Sequence, residues 1–180
     1  GELDETRFHE YRFSDEQLQE GDFLLCRNRA KSDLIIAATV VNDPASIPRQ
    51  AIETRIYKVE RENDETMILE LRTPRSRTLQ FLAGQTVKLK IPDVDIDSYS
   101  VAVASCPCNG MILQFHINCN HIHPFVQRLI TGIHDIDKIV VEGPYGDNIL
   151  NIQYERPLVL ISKDSEFGAI KSLIEQSINL

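Results

Sequence analysis

Residues 86–104, which read TVKLKIPDVDIDSYSVAVA, contain two short predicted strands and the loop between them. Apolar and polar or small side chains alternate in TVKLKI (86–91) and in SYSVAVA (98–104), which is the period of a half-buried strand. The intervening PDVDID (92–97) contains one proline and three aspartates, which favour a turn. This stretch therefore predicts neighbouring strands of a β-sheet.

Similar strands are predicted on both sides of this pair. They are IETRIYKVE (52–60), ETMILELR (65–72), MILQFHI (111–117) and the start of KIVVEGPYGDN (138–148). One short helix interrupts them at HPFVQRLITGI (123–133), because Pro124 suits a helix start and Gly132 a helix end. Short strands separated by turn residues are typical of an antiparallel barrel or sandwich, so the fold class is predicted to be mainly β.

The C-terminal stretch has a different pattern. RPLVLIS (156–162) is a continuous apolar run, which predicts a buried parallel strand. DSEFGAIKSLIEQSI (164–178) follows, with apolar residues at helical spacing. A strand leading into a helix is the first unit of a nucleotide-binding α/β domain, predicted here for residues 153–180. One such βα unit leaves apolar faces uncovered, so we expect it to contact a protein partner.

Charge and composition exclude some classes of partner. The formal net charge is −8, which argues against nucleic acid as a ligand. The sequence contains no apolar run long enough to cross a bilayer and no signal-peptide pattern at its start.

The four cysteines have no disulfide-framework spacing, and Cys106 and Cys108 are too close in sequence for an easy disulfide. We therefore expect a reducing, cytoplasmic location.

Several motifs, in order, resemble the ferredoxin–NAD(P)H reductase superfamily. They are FLAGQTVKL (81–89), SYSVA (98–102), VVEGPYGDNIL (140–150) and RPLVLIS (156–162). The resemblance covers about residues 51–180 and implies a six-stranded antiparallel FAD-binding barrel over residues 51–152. It also implies that the βα unit begins an NAD(P)-binding domain, which is truncated or degenerate in this sequence.

The N-terminal stretch resembles the C-terminal half of a plant-type [2Fe–2S] ferredoxin domain. This segment covers residues 1–41, and a Pro-rich linker at residues 42–50 follows it. Cys26 matches the position of the last cluster ligand, but one thiolate cannot hold a cluster that needs four ligands. No bound metal is therefore expected. The combined arrangement resembles reductases that pass electrons to oxygenases or deoxysugar dehydrases.

The resemblance implies a flavin site on the barrel. Tyr99 would pack on the flavin, and the Ser100 hydroxyl would reach toward its N5 atom. The turn that contains Gly143, Pro144 and Gly146 would also lie on the flavin side. No catalytic residue is assigned. Asp97 stands where the family has a phosphate-binding arginine. Phosphate binding would therefore be impaired or lost unless Arg128, Lys88 or Lys90 compensates for that arginine.

Two further motifs depart from the family pattern. NHIH (120–123) replaces a Gly-x-x-Ser segment that contacts phosphate. Residues 163–166, which read KDSE, replace the Gly-rich turn of the NAD(P)-binding domain, so carboxylates occupy an expected anion site. These residues predict that the chain holds no cofactor, or holds FAD only if Asp97 is compensated.

Three functions follow from these patterns. The first is a diverged reductase-like protein with impaired FAD and NAD(P) binding, which acts as a binding or assembly subunit of a redox system. The second is a fragment of a working FAD-dependent NAD(P)H reductase that supplies electrons to a [2Fe–2S] centre. The third is a metal-binding module built on His116, Cys119, His121 and His123, although their spacing matches no strong metal motif.

Overall fold

The computed structural model describes residues 1–5, 19, 28–35, 43–108, 110–120, 122–132, 136, 138–150 and 157–178. The chain divides into two compact units, Gly1–Val40 and Val41–Leu180. In the first unit, strand β1 (Leu3–Glu5) pairs antiparallel with strand β2 (Asn28–Ala30). Cys26 lies outside the described residues, so its role as a remnant ligand position remains a prediction.

The second unit contains six strands and a short helix of the predicted barrel, and the helix predicted for residues 164–178. They are β3 (Gln50–Arg61), β4 (Thr66–Arg72), β5 (Thr86–Lys90), β6 (Tyr99–Ala102), β7 (Ile112–Asn118), helix α1 (Pro124–Gly132), β8 (Ile139–Tyr145) and helix α2 (Phe167–Ile178). The strands form one sheet in the order β6-β5-β8-β3-β4-β7, and each of these pairings is antiparallel.

The sheet curls until its two edge strands approach each other. Just after β6, the Ala104 N–H donates a hydrogen bond to the Gln114 carbonyl of β7 over 2.8 Å. The six strands therefore form a nearly closed antiparallel barrel, and the predicted fold class is confirmed.

Alternating side chains fill the barrel. Leu69 and Leu71 of β4 lie opposite Phe115 and Leu113 of β7, and all four are fully buried. Helix α1 adds three buried side chains to the same core, namely Phe125, Val126 and Leu129. Burial of each large apolar side chain stabilises the fold by about 1.5–3 kcal/mol. The apolar alternation in the sequence is thus the main source of barrel stability.

Part of the prediction for the C-terminal stretch is wrong. Residues 157–163 form no strand, and the side chains of Val159 and Ile161 are 78% and 87% exposed. A strand needs a hydrogen-bonding neighbour, and none of the described residues pairs with this stretch. The predicted helix is present as α2, preceded by a 3-10 turn at Asp164–Glu166.

The FLAGQ motif (residues 81–85) forms hydrogen bonds within itself, to the turn after β8 and to helix α2. The buried Gln85 side chain accepts a hydrogen bond from the Leu82 N–H over 2.8 Å and donates one to the Gly146 carbonyl over 3.0 Å. The Gly84 N–H donates to the Ser172 hydroxyl of α2 over 3.1 Å. This motif therefore holds the turn after β8 and helix α2 against the barrel.

The described residues include no helix with the length and apolar character that a membrane span requires.

Candidate functional site

A cavity of about 450 Å³ lies between strands β6 and β7 and the start of helix α2. This volume falls in the range of about 300–1,000 Å³ that is usual for small-molecule sites. Its walls come from β6, β7, the turn after β8, the 3-10 turn with the segment before it, and the first turn of α2. They include Tyr99, Ser100, His116, Asn118, Asn148, Ser162, Ser165, Glu166 and Gly168. Two of the five predicted flavin-side residues, Tyr99 and Ser100, are therefore cavity residues.

Packing on α1 fixes the Tyr99 ring. The ring stacks parallel to Phe125 at a centroid distance of 5.7 Å, and His123 contacts it edge-on at 5.2 Å. His123 is fixed in turn, because its Nδ1 accepts the Phe125 N–H over 3.2 Å. Burial raises the pKa of the Tyr99 phenol, although a backbone hydrogen bond at Asn118 opposes that shift. Tyr99 is thus a neutral, rigid aromatic wall of the cavity.

Ser100 offers a hydroxyl group at the cavity. Its side chain is exposed, and it lies opposite Lys88 in the β5–β6 pairing. The Lys88 ammonium sits 5.1 Å from the centroid of the Tyr145 ring, in a cation–π contact on the outside of the sheet. Lys88 is thus the cross-strand neighbour of Ser100, but it is not among the residues that line the cavity.

The end of β8 and the turn after it lie mostly outside the cavity. Gly143, Pro144 and Gly146 are not among the residues that line it, whereas Asn148, two residues further on, is. Gly146 is held by Gln85, and a methyl group on Gly84 would overlap the Asn148 carbonyl oxygen. The observed role of this turn is to pack against the FLAGQ motif, and its contact with a flavin remains a prediction.

The phosphate side of the predicted site has no cation at the cavity. Asp97 is exposed in the loop before β6, and no lysine or arginine is found among the described residues that line the cavity. The Arg128 guanidinium folds over Gly132 of its own helix, where a methyl group would collide with it. Lys90 is exposed on β5, outside the cavity. None of the three residues proposed to compensate for Asp97 lines the cavity.

The turn before α2 places a carboxylate in the cavity wall. Asp164 has a φ of 52°, a left-handed conformation that non-glycine residues rarely adopt. Lys163 precedes the 3-10 turn without a capping side-chain hydrogen bond and lies 3.9 Å from the Asp164 carboxylate. Glu166 lines the cavity. An anion near this turn would meet acidic side chains rather than the glycine N–H groups of a dinucleotide site.

Two residues that sequence reasoning did not assign to the cavity form its floor. A methyl group on Gly168 would lie only 3.2 Å from the His116 Cβ, so glycine allows α2 to approach β7 closely. Burial lowers the pKa of His116, the nearby Lys171 ammonium lowers it further, and Glu62 opposes the shift. Its Nε2 has no hydrogen-bond partner among the described residues. The glycine inside an otherwise apolar helical pattern was the available signal for this close contact.

The candidate cysteine and histidine ligands that the structure describes do not form a metal site. Among the described residues no three histidine, cysteine or acidic side chains form a group that suits a metal ion, and His121 lies outside those residues. The expectation about Cys106 and Cys108 is wrong, because the structure joins them in a disulfide. The turn at Pro107 places their Cα atoms 5.2 Å apart, which is within the usual range for disulfides.

The fold matches solved structures of ferredoxin-reductase type. A cytochrome P450 reductase from Amycolatopsis superimposes with a TM-score of 0.64 at 22% identity, over 99% of this chain and 54% of that one. The ferredoxin reductase in carbazole 1,9a-dioxygenase gives a TM-score of 0.66 at 19% identity, over 99% of this chain and 56% of that one. At these identities the likeness shows the fold alone.

Curated proteins with similar sequences are named as reductases or reductase components. A propane 2-monooxygenase reductase component from Mycolicibacterium goodii is 27% identical over 97% of this chain and 51% of its own length. A terephthalate 1,2-dioxygenase reductase component from Comamonas is 27% identical over 84% of this chain and 44% of its own length. A CDP-6-deoxy-L-threo-D-glycero-4-hexulose-3-dehydrase reductase from Yersinia pseudotuberculosis is 23% identical over 92% of this chain and 49% of its own length. No family model matches.

The chain spans about half the length of these relatives. The sequence comparison confirms the predicted resemblance to reductase components, and the structural comparison confirms the barrel fold. The resemblance of residues 1–41 to a [2Fe–2S] ferredoxin remains a prediction.

Proposed function

We propose that this chain is a diverged ferredoxin-reductase-like protein that keeps the flavin-ring part of its site and has weakened phosphate binding. In this proposal it acts as a binding or assembly subunit of an oxygenase or dehydrase redox system. The observation that carries the proposal is the cavity beside Tyr99 and Ser100, whose described lining includes the carboxylate Glu166 and neither lysine nor arginine. Such walls suit an uncharged ring system better than a diphosphate.

The expected loss of affinity can be estimated. Loss of one charge-assisted hydrogen bond to phosphate costs about 1.5–3 kcal/mol. A carboxylate near the phosphate adds roughly a few kcal/mol at an effective dielectric constant of about 20. The sum corresponds to a roughly hundredfold to ten-thousandfold weaker FAD complex than an arginine at position 97 would support.

The test compares ligands that share the flavin ring and differ in what is attached to it: riboflavin has no phosphate, FMN has one phosphate, and FAD has a diphosphate joined to adenosine. Riboflavin, FMN and FAD share the flavin ring, so weakened phosphate binding predicts similar dissociation constants for all three, measured by quenching of flavin fluorescence. Asp97→Arg should tighten FAD binding by about a hundredfold or more and leave riboflavin binding unchanged. Asp95→Arg is the matched control, because Asp95 is an exposed aspartate of the same loop. Tight FAD binding by the unmodified chain would contradict the proposal.

The second candidate function is that of a working FAD-dependent NAD(P)H reductase of which this chain is a part. The similar sequences support it, because all three reported relatives are named as reductases or reductase components. In that case electrons would pass from NAD(P)H through FAD to a [2Fe–2S] centre and then to an oxygenase or dehydrase. NAD(P)H-dependent reduction of ferricyanide by the FAD-loaded chain would favour this function over the first. For a metal-binding module, the described residues provide no supporting cluster.

We further propose that the apolar segment Leu158–Ile161 contacts a protein partner. Leu158, Val159 and Ile161 are exposed, and apolar side chains that lie together at a surface mark interaction sites. A double substitution, Leu158→Ser with Val159→Ser, should reduce co-purification of a redox partner from the native host without changing the melting temperature. Equal recovery of the partner with both forms would contradict this assignment.

A further inference from the structure

The cysteine pair at the start of the β6–β7 connection lies in a second cavity. This cavity has a volume of about 390 Å³, and its walls include Cys106, Cys108, Lys171 and Glu175. It is separate from the cavity beside Tyr99 and shares no lining residue with it. The disulfide therefore lies next to a lysine–glutamate ion pair, in a space that a small molecule can enter.

The two sulfur atoms have different surroundings. Cys108 is exposed, whereas Cys106 is buried, with 8% of its surface accessible. The backbone N–H of Cys108 donates a hydrogen bond to the Cys106 Sγ over 3.2 Å. A hydrogen-bond donor at sulfur stabilises a thiolate, so Cys106 is the better leaving group and Cys108 the more accessible point of attack.

The backbone around the pair is held in place by helix α2. The Cys106 N–H donates to Glu175 Oε2 over 3.0 Å, and the Lys171 ammonium donates to the Ala104 carbonyl over 3.4 Å. Lys171 also forms an ion pair with Glu175. The pair is thus attached to helix α2, with Cys106 buried and Cys108 at the surface.

We propose that Cys106 and Cys108 form a redox-active pair that undergoes thiol–disulfide exchange with low-molecular-weight thiols. An incoming thiolate attacks the Cys108 Sγ, a mixed disulfide forms there, and the Cys106–Cys108 bond breaks with its electron pair leaving on Cys106. A second thiol then attacks the sulfur of the bound thiol in that mixed disulfide and releases Cys108. The protein gains two electrons and two protons, and the two thiols become one disulfide.

Glutathione is the probe for the first test. The folded chain is equilibrated with mixtures of reduced and oxidised glutathione, and the reaction is quenched with acid before free thiols are alkylated. Peptide mass mapping then shows whether each cysteine is alkylated or disulfide-bonded. We expect Cys106 and Cys108 to change together and reversibly between the alkylated and the disulfide form. Cys119 is the internal control, because it is a free thiol whose pKa is raised by burial. A pair that stays alkylatable in excess oxidised glutathione would overturn the proposal.

The order of attack is tested with single variants. Cys106→Ser leaves the exposed Cys108, which should form a mixed disulfide with oxidised glutathione. Cys108→Ser leaves the buried Cys106, which should react at least about tenfold more slowly. Cys119→Ser is the matched control and should leave exchange at the pair unchanged. Equal rates for the two single variants would overturn the assigned direction of attack, and if either variant fails to fold, the mass map of the unmodified chain decides the proposal.

Discussion

The barrel core and the segment Pro157–Lys163 use apolar side chains in opposite ways. Leu69 and Phe115 are fully buried between paired strands, whereas Val159 and Ile161 are among the most exposed large apolar residues described. Both stretches are rich in β-forming residues. The difference is the presence of a neighbour, because β4 has hydrogen-bonded strands on both sides and residues 157–163 have none among the described residues. Apolar sequence therefore yields a strand only where tertiary structure supplies a pairing edge.

The largest effect is expected in the barrel core. Phe115→Ala should lower the free energy of unfolding by about 3–5 kcal/mol, because the cavity left in a closed barrel cannot collapse fully. Urea denaturation followed by circular dichroism measures this loss. A change below about 1 kcal/mol would mean that β7 is not part of a tightly packed core.

A smaller effect is expected at the FLAGQ motif. Gln85→Leu keeps the side-chain volume but leaves the Leu82 N–H and the Gly146 carbonyl without their partner. Leu82 is half-buried and Gly146 is exposed, so water replaces part of the two lost hydrogen bonds, and we expect a total loss of about 1–3 kcal/mol. Gln80→Leu is the matched control, because that side chain is exposed and should tolerate the change. Equal melting temperatures for the two variants would contradict the role assigned to Gln85.

The contact between α2 and β7 predicts a pH dependence. The folded pKa of His116 lies below its ordinary value, so between those two pKa values the unfolded chain binds more protons than the folded one. The His116 contribution to stability is therefore complete above about pH 6.5 and is lost as the pH falls toward the folded pKa. His116→Gln should show a smaller loss of melting temperature on acidification than the unmodified chain. An identical loss in both would contradict this origin.

The smallest effect is expected in the exposed segment. Ile161→Ser should change the free energy of unfolding by no more than about 0.5 kcal/mol, because its side chain loses little buried area. The same denaturation measurement applies. A loss comparable to that of Phe115→Ala would show that this segment packs in a way that the exposure of Ile161 does not reveal.

Local patterns predicted most of the barrel but only part of the cavity. Alternation in ETMILELR and MILQFHI indicated β4 and β7 because each strand buries one face, and this periodicity is a property of neighbouring residues. Tyr99 and Ser100 were found through a motif. His116 and Gly168 were missed because each lies on a different element, and only the packing of α2 on β7 makes them neighbours.

The order of residues determined most of the strands and helices of the second unit, and it placed carboxylates at Asp97 and Glu166. The tertiary structure decided which of these segments meet. It placed Tyr99 in the cavity and Gly143 outside it, joined Cys106 to Cys108, and left Val159 exposed. The physical reason is that burial and chemical contact depend on the pairing of elements far apart in the chain, and no local pattern of side chains encodes that pairing.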